Sequence, residues 1–304
     1  MNELPKISVI TPSYNQAKFL EQTIRSVLDQ QYPNLEYIIM DGGSTDGSVE
    51  IIKKYADKLS HWESKKDRGQ SHAINKGLSI ATGDIVTWLN SDDYFAPGAL
   101  EKAAEIWKQK PFNYLVGNCY FVDEQGALLA AQLKSKLIDD KLYLPFTRCV
   151  INQPGSFFSA KIYRELGPLD ESLNYAMDVD FWLKITANNY LFDHTDTYFT
   201  FFRRHGETKS AEGNIRFIED TMNSVFYKET LPKINPVLSK KVRRLGIDEY
   251  MANLRMEHLT AKLFKTAAAY FFKYPGIVWK HTTAYVATKL KLFFRNRFSS
   301  AAAS

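Results

Sequence analysis

The sequence predicts an α/β fold with a mostly parallel central sheet flanked by helices, followed by a helical C-terminal extension. Short runs of β-branched residues alternate with helical patterns through the first half of the chain, which is the order that βαβ units produce. Turns rich in Gly, Ser and Asp follow the ends of the predicted strands. From about residue 215 onward helical patterns predominate. At 304 residues the chain is long enough for one large α/β domain and an appended helical region.

The first two strands and helices follow each other closely. Ile7–Thr11 is rich in β-branched residues and predicts the first strand, whereas Gln16–Gln30 carries apolar residues at helical spacing and predicts a helix. Leu35–Met40 predicts the second strand. The turn Asp41–Ser48 contains glycines that permit tight backbone geometry, and its Ser and Asp side chains can cap a helix that runs to about Asp57.

The next elements end in a loop of polar residues. His61–Glu63 predicts a short third strand, and Gln70–Ala81 predicts a helix that Gly83 stops. Ile85–Leu89 predicts a buried strand. It delivers Asn90–Asp93 to its carboxyl end, which is where open α/β sheets bind ligands.

The second half predicts a mixture of helices and hairpin strands. A helix begins at Pro97, because proline is favoured in a first helical turn. Tyr114–Asp123 and Leu128–Leu133 flank a turn and predict a hairpin. Asp178–Ala187 then predicts a helix, and Thr197–Arg203 predicts a strand.

Composition excludes several classes of protein. With 45% apolar and 24% charged residues, the chain can bury a substantial core and is not typical of disordered proteins. Its two cysteines, Cys119 and Cys149, are too few for a disulfide scaffold and lack metal-ligand spacing, so we expect free thiols in a reducing cytoplasm. The start of the sequence lacks a signal-peptide pattern and no run of about 18 apolar residues occurs, so we expect neither export nor a membrane-spanning helix.

The C-terminal tail has a basic and aromatic composition. From Lys262 to Arg297 it contains lysine and arginine but no Asp or Glu, interleaved with Phe, Tyr, Trp and Leu. This composition is typical of interfacial helices near anionic lipid. Because Pro275 and Gly276 divide the tail into short helices, packing on the rest of the protein is an equal alternative. The tail shows no nucleic-acid-reading motif, so we expect no nucleic-acid partner.

Acidic residues at the predicted strand ends are the first candidates for chemistry. Asp92 and Asp93 repel each other unless a cation lies between them, and Mg²⁺ or Mn²⁺ takes one or two carboxylates plus substrate phosphates. A metal ion bridged to a diphosphate is one interpretation, and an Asp-rich turn that caps the next helix is the other. Asp41 is equally open, since it could accept from a base or ribose or cap the helix that follows it.

Five motifs, in this order and spacing, resemble family-2 glycosyltransferases. They are Thr11–Asn15, Asp41–Asp46, Gly69–Gly77, Thr82–Asp84 and Asn90–Asp93. The resemblance covers residues 5 to about 210. It implies the GT-A fold, which is Rossmann-like, together with inversion of the anomeric configuration and UDP-sugar donors used with Mn²⁺ or Mg²⁺.

Carried over position by position, the resemblance implies a donor site and a metal site. Asp41 is expected to contact the uracil, and Asp92 the donor sugar or ribose. Asp93 is expected to bind the metal ion, with His205 as a further ligand. The expected donor-binding residues are Pro12, Tyr14, Asn15, Asp41, Arg68, Gln70, Asn75 and Asp92.

Three further motifs match a subgroup that resembles bacterial surface-polysaccharide glycosyltransferases. They are Asn152–Ser156, Tyr175–Trp182 and Phe202–Ser210. In many relatives a Glu-Asp pair opens the helix at the second motif, and its Asp is the catalytic base. Here Met177 replaces the Glu, whereas Asp178 keeps the position of the base. The residues expected to bind acceptor or to support the site are Gln153, Asp180, Trp182 and Arg203.

The predicted domains are a GT-A domain over 1–214 and the helical extension over 215–304. Residues 1–110 form the expected nucleotide-sugar-binding half and 111–214 the acceptor-binding half. We predict an inverting enzyme that transfers a sugar to a saccharide or lipid-linked hydroxyl in polysaccharide, glycolipid or cell-envelope synthesis. It would act in the cytoplasm or peripherally on the inner face of the cell membrane.

Two other functions remain open at this point. One is a catalytically silent module that binds sugar nucleotides. The other is a metal-dependent nucleotidyltransferase, which shares a Rossmann-like sheet and metal-binding carboxylates. The nucleotidyltransferase would be expected to carry a Gly-rich phosphate loop after the first strand, whereas Thr11–Asn15 has no glycine.

Overall fold

The computed structural model of the chain describes residues 4–135, 151–206, 214–256, 260–270 and 272–287. Within them, the strands are β1 (Ile7–Ser13), β2 (Leu35–Asp41), β3 (His61–Ser64), β4 (Ile85–Trp88), β5 (Tyr94–Phe95), β6 (Tyr114–Val122), β7 (Leu128–Leu133), β8 (Ser156–Ser159) and β9 (Phe192–Arg203). The α-helices are α1 (Ala17–Leu28), α2 (Ser48–Lys54), α3 (Gln70–Ile80), α4 (Ala99–Gln109), α5 (Ala160–Leu166), α6 (Met177–Ala187), α7 (Asn214–Asn223), α8 (Leu231–Ile234), α9 (Pro236–Met256), α10 (Thr260–Tyr270) and α11 (275–287).

The described strands form one mostly parallel sheet in the order β3-β2-β1-β4-β8-β6-β9-β5, with β7 paired to β6. β1 runs parallel to β2 and β4, and β2 runs parallel to β3. β8 is antiparallel to both β4 and β6, so β6 and its parallel neighbour β9 run the same way as β4. Six of the nine strands therefore end at one edge of the sheet. The predicted fold class, including the helical C-terminus, is confirmed.

The two faces of the sheet bury separate cores, because successive side chains on a strand point to opposite faces. On β1, Ile10 packs in the core that contains Ile74 of α3, whereas Val9 packs in the core that contains Leu20 of α1. Gly77 of α3 lies directly against Ile10: a β-carbon on Gly77 would lie 2.5 Å from the Cγ2 atom of Ile10. The missing side chain thus lets α3 approach β1 closely.

The C-terminal helices form cores of their own. Ile215 of α7 packs with Met251 of α9, Leu263 of α10 and Val278 of α11. A second cluster joins these helices to α6 through residues such as Leu183. Helix α6 is therefore packed between the sheet and the extension. None of the helices in the described ranges is long and apolar enough to cross a membrane.

The structure adds short elements that the sequence did not predict. Strands β5 and β8 and helix α5 were missed, and β9 begins at Phe192 rather than at Thr197. β5 consists of two residues and exists because it pairs with β9, so its own sequence carries too little pattern to identify it. Cys119 is a buried free thiol, as expected. Cys149, the end of the motif Phe202–Ser210 from residue 207 onward, and the tail from residue 288 lie outside the described residues.

Candidate active site

The carboxyl ends of β1, β2, β4 and β9 bring the predicted site residues to one edge of the sheet. Pro12, near the end of β1, lies beside Met40 of β2, and Ser13, the last residue of β1, pairs with Asp41. The loop after β4 carries the acidic pair, and His205 follows β9 two residues after Arg203. Because these strands are parallel, their polar ends meet where open α/β sheets bind ligands.

Asp92 and His205 lie in direct contact. The Nε2 atom of His205 is 3.0 Å from the Oδ2 atom of Asp92. The imidazole is nearly buried, with 4% of its side-chain surface exposed, and its ring packs on Phe19 of α1 at 4.8 Å between centroids. The carboxylate is more accessible, with 21% of its side chain exposed. A carboxylate oxygen and an imidazole nitrogen, both of which can bind a metal ion, therefore lie side by side at the carboxyl ends of the strands.

Asp93 lies behind this pair and is fully buried. Its Oδ1 atom accepts a hydrogen bond from the backbone N–H of Arg203 at 2.9 Å. Burial, and then the negative charge of Asp92, raises the pKa of the Asp93 carboxyl well above its ordinary value. Thr23 of α1 fixes the loop by donating to the backbone carbonyls of Ser91 and Asp93, at 2.9 and 2.6 Å.

Arg203 supports the acidic loop from within the protein. Its guanidinium donates to the backbone carbonyl oxygens of Asp92 (2.9 Å) and Glu124 (2.7 Å) and to the side chain of Gln22 (2.6 Å). It also lies over the ring of Phe19, 4.8 Å from the ring centroid. Arg203 is 2% exposed, and these contacts hold the acidic loop in place.

The donor-side loop after β2 is organised by Asp41. Its Oδ2 atom accepts hydrogen bonds from the backbone N–H groups of Gly43 (3.0 Å) and Ser44 (2.9 Å) and from the Ser64 hydroxyl (2.6 Å). Its Oδ1 atom accepts from the Ser44 hydroxyl at 2.5 Å. Asp41 is 1% exposed. Both of its oxygens therefore hold the Gly-rich turn, and neither caps α2, which begins at Ser48.

The turn after β1 is joined to the same loop. Asn15 adopts a left-handed conformation with φ of 51°. Its backbone N–H donates to the Ser44 hydroxyl at 2.8 Å, and its side-chain oxygen accepts from the N–H of Thr45 at 2.9 Å. Tyr14, next to it, is 62% exposed, so its ring is accessible to a planar ligand.

Two of the predicted donor-binding residues contact the loop before α6 instead of the strand ends. The Asn75 side chain donates to and accepts from the backbone of Leu169, at 3.0 and 2.9 Å. Arg68 pairs with Glu171, with Nη2 2.5 Å from the carboxylate. Glu171 is a site-neighbouring residue that sequence analysis missed, because it belongs to no motif and lies 103 positions from Arg68.

Gln70 and Gln153 converge on Asn90 at the start of the acidic loop. The Nε2 atom of Gln70 donates to Asn90 Oδ1 at 2.8 Å, and the Asn90 amide donates to Gln153 Oε1 at 3.3 Å. Gln153 also donates to the backbone carbonyl of Trp88 at 2.9 Å. The acceptor-side motif and the donor-side motif are thus linked through one asparagine.

Helix α6 presents Asp178 in its first turn. Asp178 is half-buried, and its Oδ1 atom accepts a hydrogen bond from the backbone N–H of Val179 at 2.7 Å. Trp182, one turn later, is buried and donates from its indole to the Tyr114 hydroxyl at 2.8 Å. Tyr114 was not predicted as a neighbour of the site, since it is the first residue of a hydrophobic strand and belongs to no motif.

Asp180 points away from the open edge. It is 1% exposed, and its two oxygens contact Lys184 Nζ (3.0 Å) and the Ser224 hydroxyl (2.5 Å). Of the two roles left open for it, the structural one accounts for these contacts.

The acidic loop fits a divalent cation. Asp92 and His205 offer one oxygen and one nitrogen atom 3.0 Å apart, and a cation would offset the repulsion from Asp92 that, after burial, raises the pKa of Asp93. Among the described residues, no group of three or more His, Cys, Asp or Glu side chains is arranged to hold a metal ion. A Mg²⁺ or Mn²⁺ ion at this loop would therefore take its remaining ligands from donor phosphates and water, as these ions commonly do.

Sequence comparison decides the family. The profile described as "Glycosyl transferase family 2" matches residues 8–167, more than half of the chain. The chain belongs to glycosyl transferase family 2. Its predicted family is thereby confirmed.

Three relatives of this family-2 protein illustrate the similarity. The chain is 39% identical over 112 residues to the putative teichuronic acid biosynthesis glycosyltransferase TuaG of Bacillus subtilis, a match that spans 36% of this chain and 44% of that protein. S. aureus TarS in complex with UDP-GlcNAc superposes with a TM-score of 0.60 at 18% identity, over 86% of this chain and 83% of that one. The mannosyltransferase PcManGT of Pyrobaculum calidifontis, in complex with GDP-Man and Mn²⁺, gives 0.59 at 19% identity, over 95% and 87%.

These likenesses extend over different shares of the relatives. The two structural neighbours show that the family-2 chain has the GT-A fold. Three further curated relatives, all named as uncharacterized glycosyltransferases, are matched over only 62%, 56% and 31% of their lengths.

Proposed function

We propose that this family-2 chain is an inverting glycosyltransferase that moves a sugar from a UDP-sugar to a hydroxyl of a saccharide or lipid-linked acceptor. One observation carries the proposal: two adjacent residues at the start of α3 join both halves of the site. Gln70 donates to Asn90, at the head of the acidic loop, and Ser71 donates to the sulfur of Met177 at 2.8 Å. Met177 directly precedes Asp178, so the acidic loop and the proposed base lie at the same edge.

In this mechanism Asp178 is the general base. The acceptor hydroxyl attacks the anomeric carbon on the face opposite the diphosphate, and Asp178 takes its proton as the new C–O bond forms. The bond between the anomeric carbon and the diphosphate oxygen breaks, and its electron pair leaves with the diphosphate. A single displacement of this kind inverts the anomeric configuration.

Asp92 and His205 are the two side chains that would hold Mn²⁺ or Mg²⁺, whereas Asp93, the ligand expected from the resemblance, lies buried behind them. A divalent cation there would neutralise charge that develops on the leaving diphosphate. Arg203 keeps the Asp92–Asp93 loop in place through its contacts with the Asp92 carbonyl and, by its own N–H, with the Asp93 carboxylate.

The nucleotide is proposed to be UDP. The TarS structures that resemble the chain include complexes with UDP-GlcNAc and with UDP, whereas the mannosyltransferase contains GDP-Man. In the proposed site, the exposed ring of Tyr14 stacks on the base and the Asp41 turn borders it. A guanine nucleotide is the competing outcome of the test below.

We place the protein at an anionic membrane surface in the cytoplasm, where a lipid-linked acceptor would be available. On and beside α11, the side chains of Phe272, Trp279 and Val286 are 94%, 69% and 48% exposed. Trp279 and Val286 are seven residues apart, so they share a face of the helix. Lys273 is exposed beside them, and the sequence continues with Lys, Arg, Leu and Phe. Exposed aromatic groups with nearby cations favour an anionic lipid interface.

The first experiment is a thermal-shift titration with UDP, GDP and dTDP, each with Mn²⁺ and with EDTA. We expect UDP to stabilise the protein only when Mn²⁺ is present, by about 2.7 kcal/mol at 100 times the dissociation constant. Asp92→Ala should lose this response, whereas the exposed control Asp57→Ala should keep it. A response to GDP alone would replace UDP by GDP in the proposal. If no nucleotide stabilises the protein, the proposal is wrong, and the alternative of a catalytically silent module that binds another ligand is favoured.

A further inference from the structure

We propose that the helical extension is a positioning element of the active site, in which Asp220 and Ser224 hold helix α6 and thereby orient Asp178. The inference rests on the proposed role of Asp178 as the base. It assigns to α7 a part in the reaction that no motif of the catalytic domain indicates.

The amino end of α6 receives its cap from the extension. The residue that precedes the helix is Ala176, which has no side-chain oxygen, and no side chain of the helix's own N-cap makes a capping hydrogen bond. The Oδ2 atom of Asp220 instead accepts hydrogen bonds from the backbone N–H groups of Tyr175 (2.7 Å) and Ala176 (3.0 Å). Backbone N–H groups at a helix start need such acceptors, and a carboxylate there is favoured by the helix dipole.

The second contact lies one turn along α6. The Ser224 hydroxyl donates to Asp180 Oδ1 at 2.5 Å, and Lys184 approaches Asp180 Oδ2 at 3.0 Å. Ser224 and Asp180 are each 1% exposed. A carboxylate buried to this degree requires hydrogen-bond partners, so removal of the Ser224 hydroxyl would destabilise this part of α6.

The two contacts bracket Asp178. One is made at residues 175 and 176 and the other at residue 180, and a helix rises about 1.5 Å per residue, so each contact lies within about 5 Å of Asp178 along the axis. Asp220 and Ser224 are themselves one turn apart, joined by the Ser224 N–H to the Asp220 carbonyl at 3.1 Å. A shift of α7 therefore moves both ends of the segment that carries the base.

Contacts that fix the position of Asp178 would affect the rate of the chemical step. A displacement of about 1 Å of a catalytic group can cost about 100-fold in rate. The donor site at β1, β2 and β4 makes no use of Asp220 or Ser224 in the contacts described above. A positioning role thus predicts a loss in kcat with little change in donor affinity.

The first test is hydrogen–deuterium exchange on the full chain, which needs no substrate. In Asp220→Ala we expect the amides of residues 175–180 to exchange at least about tenfold faster than in wild type. The matched control is Glu219→Gln, which removes a carboxylate from the neighbouring position of α7 that contacts Tyr250 and Lys262 instead of α6. Unchanged exchange at 175–180 in Asp220→Ala overturns the inference.

The second test is kinetic and uses the nucleotide-sugar identified by the thermal-shift titration. We expect Asp220→Ala to lower kcat about 10- to 100-fold while the donor dissociation constant stays within about twofold. Asp220→Glu, which can still accept from the two amides, should recover part of the loss. In a protein that already carries Asp178→Asn, Asp220→Ala should cause no further loss, because the residue it orients has lost its function.

The two proposals fail in different ways. If Asp178→Asn retains turnover, the assignment of the base is wrong whatever Asp220→Ala does. If Asp178→Asn is inactive and a folded Asp220→Ala has wild-type kcat, the base stands and the positioning inference is refuted. Should Asp220→Ala unfold, Ser224→Ala provides the same comparison from the other contact.

Discussion

Asp178 combines accessibility with a fixed place on a buried helix. Its neighbours Val179 and Asp180 are 1% exposed, whereas Asp178 itself is half-buried at the first turn. A general base needs this combination, since it must meet the acceptor hydroxyl in one orientation. The sequence predicts this position through the resemblance of the motif Tyr175–Trp182, in which Met177 replaces the Glu of many relatives.

We predict that Asp178→Asn lowers kcat by about 100- to 10,000-fold, because an amide cannot accept the proton. Donor binding should stay within about twofold, since Asp178 makes none of the donor-side contacts. The measurement is nucleotide release under saturating donor, paired with thermal-shift titration. Asp196→Asn, an exposed carboxylate on β9, serves as control and should be indistinguishable from wild type. Turnover of the Asp178→Asn protein at the wild-type rate would contradict the assignment.

Arg203 contacts the acidic loop from inside the protein. Its guanidinium donates hydrogen bonds to three acceptors that are distant in sequence, on Gln22, Asp92 and Glu124. The sequence left its role open between acceptor binding and support. The acceptors include two backbone carbonyls, which sequence patterns do not distinguish.

For Arg203→Lys we predict a loss of about 2–4 kcal/mol in the free energy of unfolding, because a lysine keeps the charge but cannot make three directed hydrogen bonds. The Mn²⁺-dependent response to nucleotide should weaken in parallel, since the Asp92–Asp93 loop loses its support. Urea unfolding and the thermal-shift titration measure the two effects. Arg204→Lys is the adjacent control: Arg204 is exposed and contacts Phe121 through its guanidinium, so its change should stay within about 0.5 kcal/mol. Equal stability of Arg203→Lys and wild type would show that the three guanidinium hydrogen bonds of Arg203 are not needed for stability.

At the scale of elements, the amino ends of β1 and β2 are joined by polar contacts around one buried carboxylate, Glu36, at the end of the strands opposite the candidate site. Glu36, near the start of β2, is 8% exposed and accepts hydrogen bonds from Ser8 and from Thr82, while Lys6 lies 2.8 Å away. Burial alone would raise the pKa of Glu36, but the contacts with Lys6, Ser8 and Thr82 outweigh it and lower the pKa from 4.5 to about 2. These contacts join β1, β2 and the turn before β4.

The depressed pKa of Glu36 predicts a pH-dependent contribution to stability. Because the folded-state pKa lies below the unfolded one, the contribution is fully present above about pH 4.5 and is lost as the pH falls toward 2. Its size is of the order of 3 kcal/mol. We therefore expect Glu36→Gln to be less stable than wild type at pH 7 and the two to converge near pH 2. Urea unfolding across this range checks it, with the exposed Glu50→Gln as a control. A difference that stays constant with pH would show that the ion pair is not its origin.

Elements with a strong period were predictable, and elements fixed by their neighbours were not. Helices α1 and α3 and strands β1, β2 and β4 follow their patterns, because local periodicity and burial agree there. Strands β5 and β8 contain two and four residues and owe their existence to pairing with β9, and with β4 and β6. The N-terminal cap of α6 could not be predicted either, since its acceptor, Asp220, lies 44 positions or more from the amides that it caps.

At the scale of the whole molecule, the extension has one side on α6 and another that carries exposed aromatic side chains. Leu263 and Val278 pack with Met251 and Leu254 of α9, so deletion of α10 and α11 would expose that core. Substitution of exposed residues is therefore the cleaner test of the proposed membrane contact.

We predict that a Phe272→Ser, Trp279→Ser double variant binds vesicles of phosphatidylglycerol and phosphatidylcholine at least about tenfold more weakly than wild type, because the two rings supply the interfacial anchor. Activity on a soluble acceptor should be unchanged. Co-sedimentation measures the binding, and Val237→Ser, which removes an 80% exposed residue of α9, is the control. If the double variant and wild type sediment alike, the proposed membrane contact is wrong.

The proposed division at residue 214 coincides with the start of α7, but the contacts of Asp220 and Ser224 with the loop and helix of residues 175–180 make the two regions interdependent.

The adjacency of Gln70 and Ser71 has a consequence for recombination between members of the family. An exchange of the acceptor-binding half would carry over a new residue at position 177 while leaving Ser71 behind. In relatives with the usual Glu at that position, the hydroxyl that now meets the Met177 sulfur would meet a carboxylate. Such a chimera would thus replace a weak hydroxyl–sulfur contact by a charge-assisted hydrogen bond, so a change at position 177 alters how tightly α3 is tied to the start of α6.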